Sequence, residues 1–142
     1  MDYPDKFIRG ISSVSHINAD GRPTSEIFLF NENAQRTDGF SEASINWCDD
    51  DDALSFTMEQ RNNNAYRFQY GVAIVERMYA DGIVRNPIYK DIFKYERSGL
   101  PDNKYHGNLL LKHEDKAIKK QIRTQIALTF ASYAQIIPRE QN

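Results

Sequence analysis

Only one cysteine, Cys48, occurs among the 142 residues, and long apolar runs are missing. A single thiol excludes an internal disulfide and is typical of a reducing compartment. No apolar stretch approaches the roughly 18 residues that a membrane-spanning helix needs. The first six residues, MDYPDK, are acidic and polar, unlike a secretory signal. We therefore expect a cytoplasmic protein with no membrane segment.

Several motifs of known chemistry are also missing. His106 and His113 with one cysteine do not match the ligand spacing of a zinc site. The aspartates at 49–52 lack the alternation and the closing glutamate of a calcium loop, although such carboxylates could hold magnesium. There is no phosphate-binding glycine loop and no Gly-x-Ser-x-Gly turn. We predict neither a metal nor a cofactor.

Composition indicates one globular domain over residues 1–142. Hydrophobic residues make up 40% and charged residues 27%, which is ordinary for a folded protein. The length suits a single domain that buries most of its apolar surface. Eight tyrosines, eight phenylalanines and one tryptophan supply large side chains for a core or for a binding face.

Local patterns predict an α+β fold with a mostly antiparallel sheet. Strands are predicted over 7–11, 25–30, 44–47, 66–78 and 105–112, and the segment 86–103 is predicted to be a long loop. Three Asp-Gly pairs, beginning at Asp20, Asp38 and Asp81, predict turns.

Two helices are predicted to pack on this sheet. The aspartates at 49–52 would begin a short helix over 53–59, because acids favour a helix N-terminus. A long C-terminal helix is predicted over 115–137, before Pro138, with apolar residues every three or four positions. Its apolar stripe comprises Ile118, Ile122, Ile126, Phe130, Tyr133 and Ile137.

Charge is distributed unevenly along the chain, although the net charge is only −2. Residues 1–64 sum to −7, residues 65–103 to +1 and residues 104–142 to +4. Such an asymmetry reflects either complementarity between the two ends of the fold or two surface patches for different partners.

Arg9 is the first candidate site residue. Strand alternation places it on the same face as Phe7 and Ile11, which draws a guanidinium toward the core. Burying it is costly unless it is paired. The partner would be an internal carboxylate, with Glu26 or Glu42 as candidates, or an anionic ligand, unless the side chain reaches the sheet edge.

His106 is the second candidate. It begins a strand in which it shares a face with Asn108, and Gly107 between them would let a backbone or a ligand approach closely. Histidine can act as a general acid or base near neutral pH. The alternative is a hydrogen-bonded structural histidine.

A row of cations is the third candidate. These residues recur at helical spacing, and cations in the first turns oppose the helix dipole, so helix propensity alone does not explain them. They would form a solvated face, cover the acidic first half of the chain, or contact phosphates. The row comprises Lys112, Lys116, Lys119, Lys120 and Arg123.

The pieces FIRGI (7–11), GRPTSEIF (21–28) and FSEASI (40–45), with YHGNL (105–109) before a lysine-rich helix, resemble a loose group of small uncharacterised bacterial proteins. That group carries an Arg-x-Ile start, a Ser-x-x-Phe strand, a Ser-Ile or Ser-Val strand and a late His-Ala strand. No activity is established for it. The resemblance implies a bacterial single-domain protein and adds weight to Arg9, Ser25, Ser44 and His106. Gly107 departs from the alanine of the group, and the insertion before His106 is longer.

Three functions follow as hypotheses. The first is a small binding or accessory protein whose basic C-terminal face engages an anionic partner, either nucleic acid or an acidic protein. The second is a metal-free enzyme on nucleotides or RNA, with His106 and His16 transferring protons and Arg9 or Lys112 stabilising a phosphate. The third is a structural or oligomer-forming protein, which predicts a large apolar surface patch and no cationic pocket.

Overall fold

A six-stranded antiparallel sheet organises the chain, with strand order β6-β7-β2-β1-β5-β8. The computed structural model describes residues 3–30, 38–112 and 116–139, including their side chains except those of 116–119. A separate two-stranded hairpin pairs β3 with β4. The elements are β1 (Lys6–Ile11), β2 (Phe40–Trp47), α1 (Asp52–Glu59), β3 (Arg61–Asn62), β4 (Ala65–Tyr66), β5 (Gly71–Glu76), α2 (Arg77–Arg85), β6 (Phe93–Arg97), β7 (His106–Lys112), α3 (Lys116–Tyr133) and β8 (Gln135–Pro138), with 3-10 helices at Val14–His16, Ser25–Phe28 and Pro87–Tyr89. The predicted α+β class with a long C-terminal helix is confirmed.

The two faces of the sheet are covered by different helices. Phe7 on β1 points to the face on which α3 packs, and its ring centroid lies 5.7 Å from that of Phe130 on α3. The next residue, Ile8, points to the opposite face and belongs to the smaller cluster that contains Ala53 of α1. Successive side chains of a strand alternate between faces, so α1 and α3 lie on opposite sides of the sheet.

Local patterns predicted the centre of the sheet correctly. The strands β1, β2 and β7 form where strands were predicted, although β2 begins at Phe40, before the predicted range 44–47, and α1 follows the aspartate run. The turns at Asp20 and Asp38 also form, with Gly21 and Gly39 at positive φ. Glycine tolerates this conformation because it has no Cβ atom.

The strand predicted over 25–30 is wrong. Residues Ser25–Phe28 form a 3-10 helix, in which Ile27 and Phe28 are fully buried. The ring centroid of Phe28 lies 5.6 Å from that of Phe130 on α3. One turn of 3-10 helix buries both Ile27 and Phe28, with Phe28 packed on α3, so this segment does not need to pair with a neighbouring strand to bury them.

The strand predicted over 66–78 is too long at both ends. Within this range only Tyr66, the last residue of β4, and Gly71–Glu76 are in strands, and α2 begins at Arg77. The predicted turn at Asp81 is therefore wrong, because Asp81 and Gly82 lie within α2. An ion pair of 2.8 Å between Arg77 and Asp81, one helical turn apart, and a 2.5 Å hydrogen bond from Tyr95 to Asp81 stabilise this helix.

Two edge strands replace segments predicted as loop and helix. Within 86–103, β6 pairs with β7 at every residue from Phe93 to Arg97. The predicted helix over 115–137 ends at Tyr133, and β8 then pairs with β5, with Ile137 opposite Val72. Among the described residues, no helix is long and apolar enough to cross a membrane.

Candidate anion-binding cleft

The candidate site lies where β1 and β2 separate. β1 pairs with β5 along its whole length. It pairs with β2 at only two positions, where Phe7 lies opposite Trp47 and Ile8 lies opposite Asn46. Beyond this point a cavity of about 160 Å³ is lined by both strands, the end of α1, the start of β7 and two turns. We call this cavity the cleft. Both Arg9 and His106 line it, so the two residues singled out from opposite ends of the sequence come together.

Arg9 fills the gap between the two strands. Its Nε donates to the carbonyl of Ile27 at 2.8 Å, and its Nη1 donates to the carbonyl of Ser44 at 2.6 Å. The bond to Ser44 satisfies a carbonyl group of β2 beyond the point where its ladder with β1 stops, and the bond to Ile27 satisfies a carbonyl group of the second 3-10 helix. Nη2 has no hydrogen-bond partner among the described residues, and Arg9 forms no ion pair with any of them. The predicted pairing with Glu26 or Glu42 is therefore absent, and two backbone carbonyls take its place.

The electrostatic environment of Arg9 disfavours its charge. Burial, and after it the positive charge of Arg67, lowers the pKa of Arg9 to about 10. Burial favours the neutral form because a desolvated charge loses its water shell, and a like charge adds repulsion. Arg9 is still a cation at neutral pH, so the cleft holds a guanidinium that no carboxylate of the described part of the chain neutralises.

Arg67 brings the second guanidinium to the cleft. It follows the β3–β4 hairpin, whose base is closed by a hydrogen bond of 2.8 Å from the Arg67 amide to the carbonyl of Gln60. Gln60 and Arg67 both line the cleft, and the Arg67 side chain is exposed. Sequence reasoning missed Arg67 because it lies in a run of alternating aromatics that predicted a core strand.

The hydrogen bonds of His106 fix its ring. Nδ1 lies 3.0 Å from the carbonyl oxygen of Ser98 and 3.0 Å from its hydroxyl. A carbonyl only accepts, so Nδ1 carries the hydrogen and the neutral ring has its lone pair on Nε2. Asn108, predicted on the same face, donates to the Ser98 hydroxyl at 3.3 Å and to Glu96 at 3.1 Å. The two side chains thus share Ser98, and Asn108 supports the orientation of His106.

A buried amide network forms part of the cleft wall. Nδ2 of Asn46 donates to Thr57 at 2.8 Å and to Gln60 at 3.2 Å, while its Oδ1 accepts from Asn103 at 2.9 Å. Asn103 in turn accepts from the amide of Tyr105 at 3.0 Å. Buried polar groups with satisfied partners make a rigid wall. No pattern in the sequence identified Asn46 or Asn103.

Phe68 closes another side of the cleft. Its ring lies directly against Gly10 of β1, at a place where a Cβ atom would overlap the ring. Gly10 thus gives the aromatic ring close access to the strand backbone. The third charged residue that lines the cleft, within the part of the chain that the structure describes, is Asp102, which is exposed in the turn between β6 and β7. Two guanidiniums and one carboxylate leave the cleft with a net positive charge of one.

The described cations of the C-terminal region do not line the cleft. Lys112 and Lys120 are exposed, and Arg123 is half-buried on α3. α3 covers the face of the sheet opposite to His106, because Leu109 and Leu111 of β7 point to the core under α3 and His106 alternates away from them. The side chains of Lys116 and Lys119 lie outside the described residues. Anion binding by this basic helix stays a prediction.

His16 is not among the residues that line the cleft. It ends the first 3-10 helix, and its Nδ1 is buried without a hydrogen-bond partner in the part of the chain that the structure describes. Burial, and after it the positive charge of Arg9, lowers the pKa of His16, while Glu26 raises it. Proton transfer by the pair His16 and His106 stays a prediction, and only His106 faces the cleft.

The pKa shift of His16 predicts a loss of stability in mild acid. Because its pKa is lower in the folded state, the unfolded chain binds the proton more readily, so stability is lost as pH falls through the ordinary histidine pKa of about 6.5. Urea denaturation at about pH 7.5 and about pH 5.5, on either side of that value, measures it. We expect His16→Gln to lose less free energy of unfolding between these pH values than the wild-type protein. Equal losses in both proteins would contradict the assignment.

Cys48 is unsuited to nucleophilic chemistry. It is half-buried, and burial is the main reason that its pKa is raised from 9.0 to about 11. The thiol therefore stays protonated at neutral pH, and the thiolate is the reactive form. The described part of the chain also holds no group of three or more His, Cys, Asp or Glu residues arranged to bind a metal ion.

No family model matches the chain, and no match was found among curated proteins or solved structures. The resemblance to the bacterial group therefore stays a prediction. Of the residues it pointed to, Arg9, Ser44 and His106 line the cleft, whereas Ser25 begins the second 3-10 helix.

Proposed function

We propose that the protein binds a small organic anion in the cleft, through the guanidiniums of Arg9 and Arg67. The observation that supports this proposal is that Arg9 lines the cleft beside a second cation and that its Nη2 has no hydrogen-bond partner within residues 3–30, 38–112 and 116–139. The cationic cleft favours a binding protein over the structural alternative, which predicted no such pocket.

The energetics of Arg9 favour a ligand. Arg9 is a partly buried guanidinium without a carboxylate partner among the residues that the structure describes, which is costly, and the nearby charge of Arg67 increases that cost. A carboxylate or phosphate would accept from Nη2 and neutralise both cations through charge-assisted hydrogen bonds. A site with this arrangement is better satisfied with an anion than without one.

The size of the cleft limits the part of the ligand that it can hold. Its volume of about 160 Å³ is close to that of an engineered cavity of roughly 150 Å³ that admits benzene. About six non-hydrogen atoms therefore fit inside. A nucleotide would leave its base or its sugar outside, so the cleft favours a small anion over a nucleic-acid chain.

Substitution of either arginine is expected to weaken anion binding. Arg9→Met and Arg67→Met should each raise the dissociation constant for small anions about tenfold or more, because a hydrogen bond to a charged group contributes about 1.5–3 kcal/mol. Calorimetric titration with lactate, acetate and inorganic phosphate measures the change.

Arg61→Met is the matched control. Arg61 is exposed on the same hairpin, stacks on Tyr66 and does not line the cleft. Arg67 is also exposed, so its loss should leave the fold intact even if Arg9→Met is unstable. The proposal would be contradicted if Arg67→Met bound small anions with unchanged affinity, or if Arg61→Met reduced the affinity as much as Arg67→Met does.

A further inference from the structure

The cleft offers acceptors as well as donors. Arg9 and Arg67 donate, whereas Nε2 of His106 and the carboxylate of Asp102 accept. A plain anion such as acetate has no donor to place against these acceptors. A ligand that matches the whole cleft therefore carries an anionic group and a hydrogen-bond donor.

The acceptor on His106 is fixed by its surroundings. The Nδ1–H bond to the carbonyl of Ser98 holds the hydrogen on the side away from Nε2. A ring flip would break this bond, and it would also break the contact between Nδ1 and the Ser98 hydroxyl. In the neutral ring, Nε2 thus presents a lone pair that only a donor can satisfy.

Charge selects between the two common donors, a hydroxyl and an ammonium. The net positive charge of one, from Arg9, Arg67 and Asp102, is neutralised by a monoanion. An amino acid with an ammonium group is neutral overall and leaves this charge uncompensated. Its ammonium group would lie near two guanidiniums, and the attraction of the exposed Asp102 carboxylate, which water screens, offsets that repulsion only in part, so a hydroxyl is the better donor.

We propose, building on the anion-binding function above, that the ligand is a small hydroxy-acid monoanion. Its carboxylate binds Arg9 and Arg67, and its hydroxyl donates to Nε2 of His106. A three-carbon hydroxy acid has six non-hydrogen atoms, which matches a cleft of about 160 Å³.

Three ligands of equal size and shape test this inference. Lactate, isobutyrate and alanine share one carbon skeleton and differ only in a hydroxyl, a methyl or an ammonium group. Calorimetric or NMR titration should show lactate binding about fivefold more tightly than isobutyrate. This factor is that of one typical hydrogen bond. Alanine should bind more weakly than lactate.

The variant His106→Phe removes the acceptor and keeps a planar ring. The preference for lactate over isobutyrate should then fall to about one, while Arg67→Met should weaken both ligands alike. If His106→Phe does not fold, the test is instead made on the wild-type protein, by following the ¹⁵N resonance of His106 Nε2 during the titrations. That resonance should shift with lactate and not with isobutyrate.

The outcomes separate this inference from the proposed function. Equal binding of lactate and isobutyrate to the wild-type protein, or a preference that survives in His106→Phe, would overturn the hydroxy-acid inference but leave anion binding intact. Tighter binding of alanine would overturn the charge argument and with it the inference. Failure of all three ligands and of inorganic phosphate to bind the folded protein would overturn both.

Discussion

Gly107→Ala is expected to lower the free energy of unfolding by about 3 kcal/mol, since overpacking and the loss of a buried hydrogen bond act together. A Cβ atom at Gly107 would lie 2.5 Å from the carbonyl oxygen of Glu96 and 2.7 Å from Cδ1 of Trp47. Trp47 is fully buried, and its indole donates to that same carbonyl at 3.2 Å. Neither the strand backbone nor the buried ring can give way cheaply.

Gly82→Ala is the matched control for this prediction, with the opposite expected sign. Gly82 lies inside α2, and apart from its chain neighbours and the backbone of its own helix, no described atom lies within 4 Å of the position of its missing Cβ. Alanine in a helix is favoured over glycine by about 1 kcal/mol, so this variant should be stabilised. Urea denaturation of both variants measures the two effects. If Gly107→Ala were as stable as Gly82→Ala, the close packing described at Trp47 would be wrong.

The role of Gly107 shows what a single residue type can predict. A glycine in a strand indicated that a backbone or a ligand approaches closely, and the approach is real. The approaching group is Trp47 with its acceptor Glu96, which are distant from Gly107 in sequence. The sequence identified the need for space but not which group fills it, because cross-strand neighbours are set by register.

The central strands could be predicted because their signal is local. Alternation of apolar residues in β1 and the run of leucines in β7 reflect burial by the layers that pack on the sheet. The edge strands could not, because an edge strand buries less and needs only one partner. In β6, Phe93 is buried and the other four residues are half-buried or exposed, so the strand shows no clear apolar pattern. In β8, the half-buried isoleucines fall at positions that continue the apolar spacing of α3, so the pattern did not indicate where that helix ends.

α2 was missed for a different reason. Its sequence contains Asp81-Gly82, which favours a turn, and glycine costs a helix about 1 kcal/mol. Tertiary contacts outweigh that preference, since Ala80 and Ile83 are buried and Tyr95 of β6 donates to Asp81. The partner strand was itself missing from the predicted fold, so this compensation could not be foreseen.

The candidate site was predictable in part. Arg9 was found because a cation on an apolar face is conspicuous, and His106 because it begins a strand. Arg67 and Asp102 reach the cleft from two turns, whose positions depend on how the hairpins fold over the sheet. The cations of the C-terminal helix were expected nearby, but the face on which α3 packs could not be read from its own pattern.

Asn46→Ala is expected to lower the free energy of unfolding by about 3 kcal/mol. Asn46 is 6% exposed and makes three side-chain hydrogen bonds, to Thr57, Gln60 and Asn103. Removing one partner leaves buried polar groups unsatisfied, at a cost of about 1–3 kcal/mol, and the deleted amide leaves a void. Denaturation in urea measures the loss.

The control is Asn64→Ala, at an exposed asparagine in the turn between β3 and β4, which should change stability by less than about 0.5 kcal/mol. Because Asn46 also lines the cleft, its loss should loosen Gln60 and Asn103 and weaken anion binding in the folded fraction. If the variant loses stability but binds lactate as tightly as the wild-type protein, the amide network stabilises the fold and does not contribute to ligand binding. The arginines and His106 would then form the site without the support of this wall.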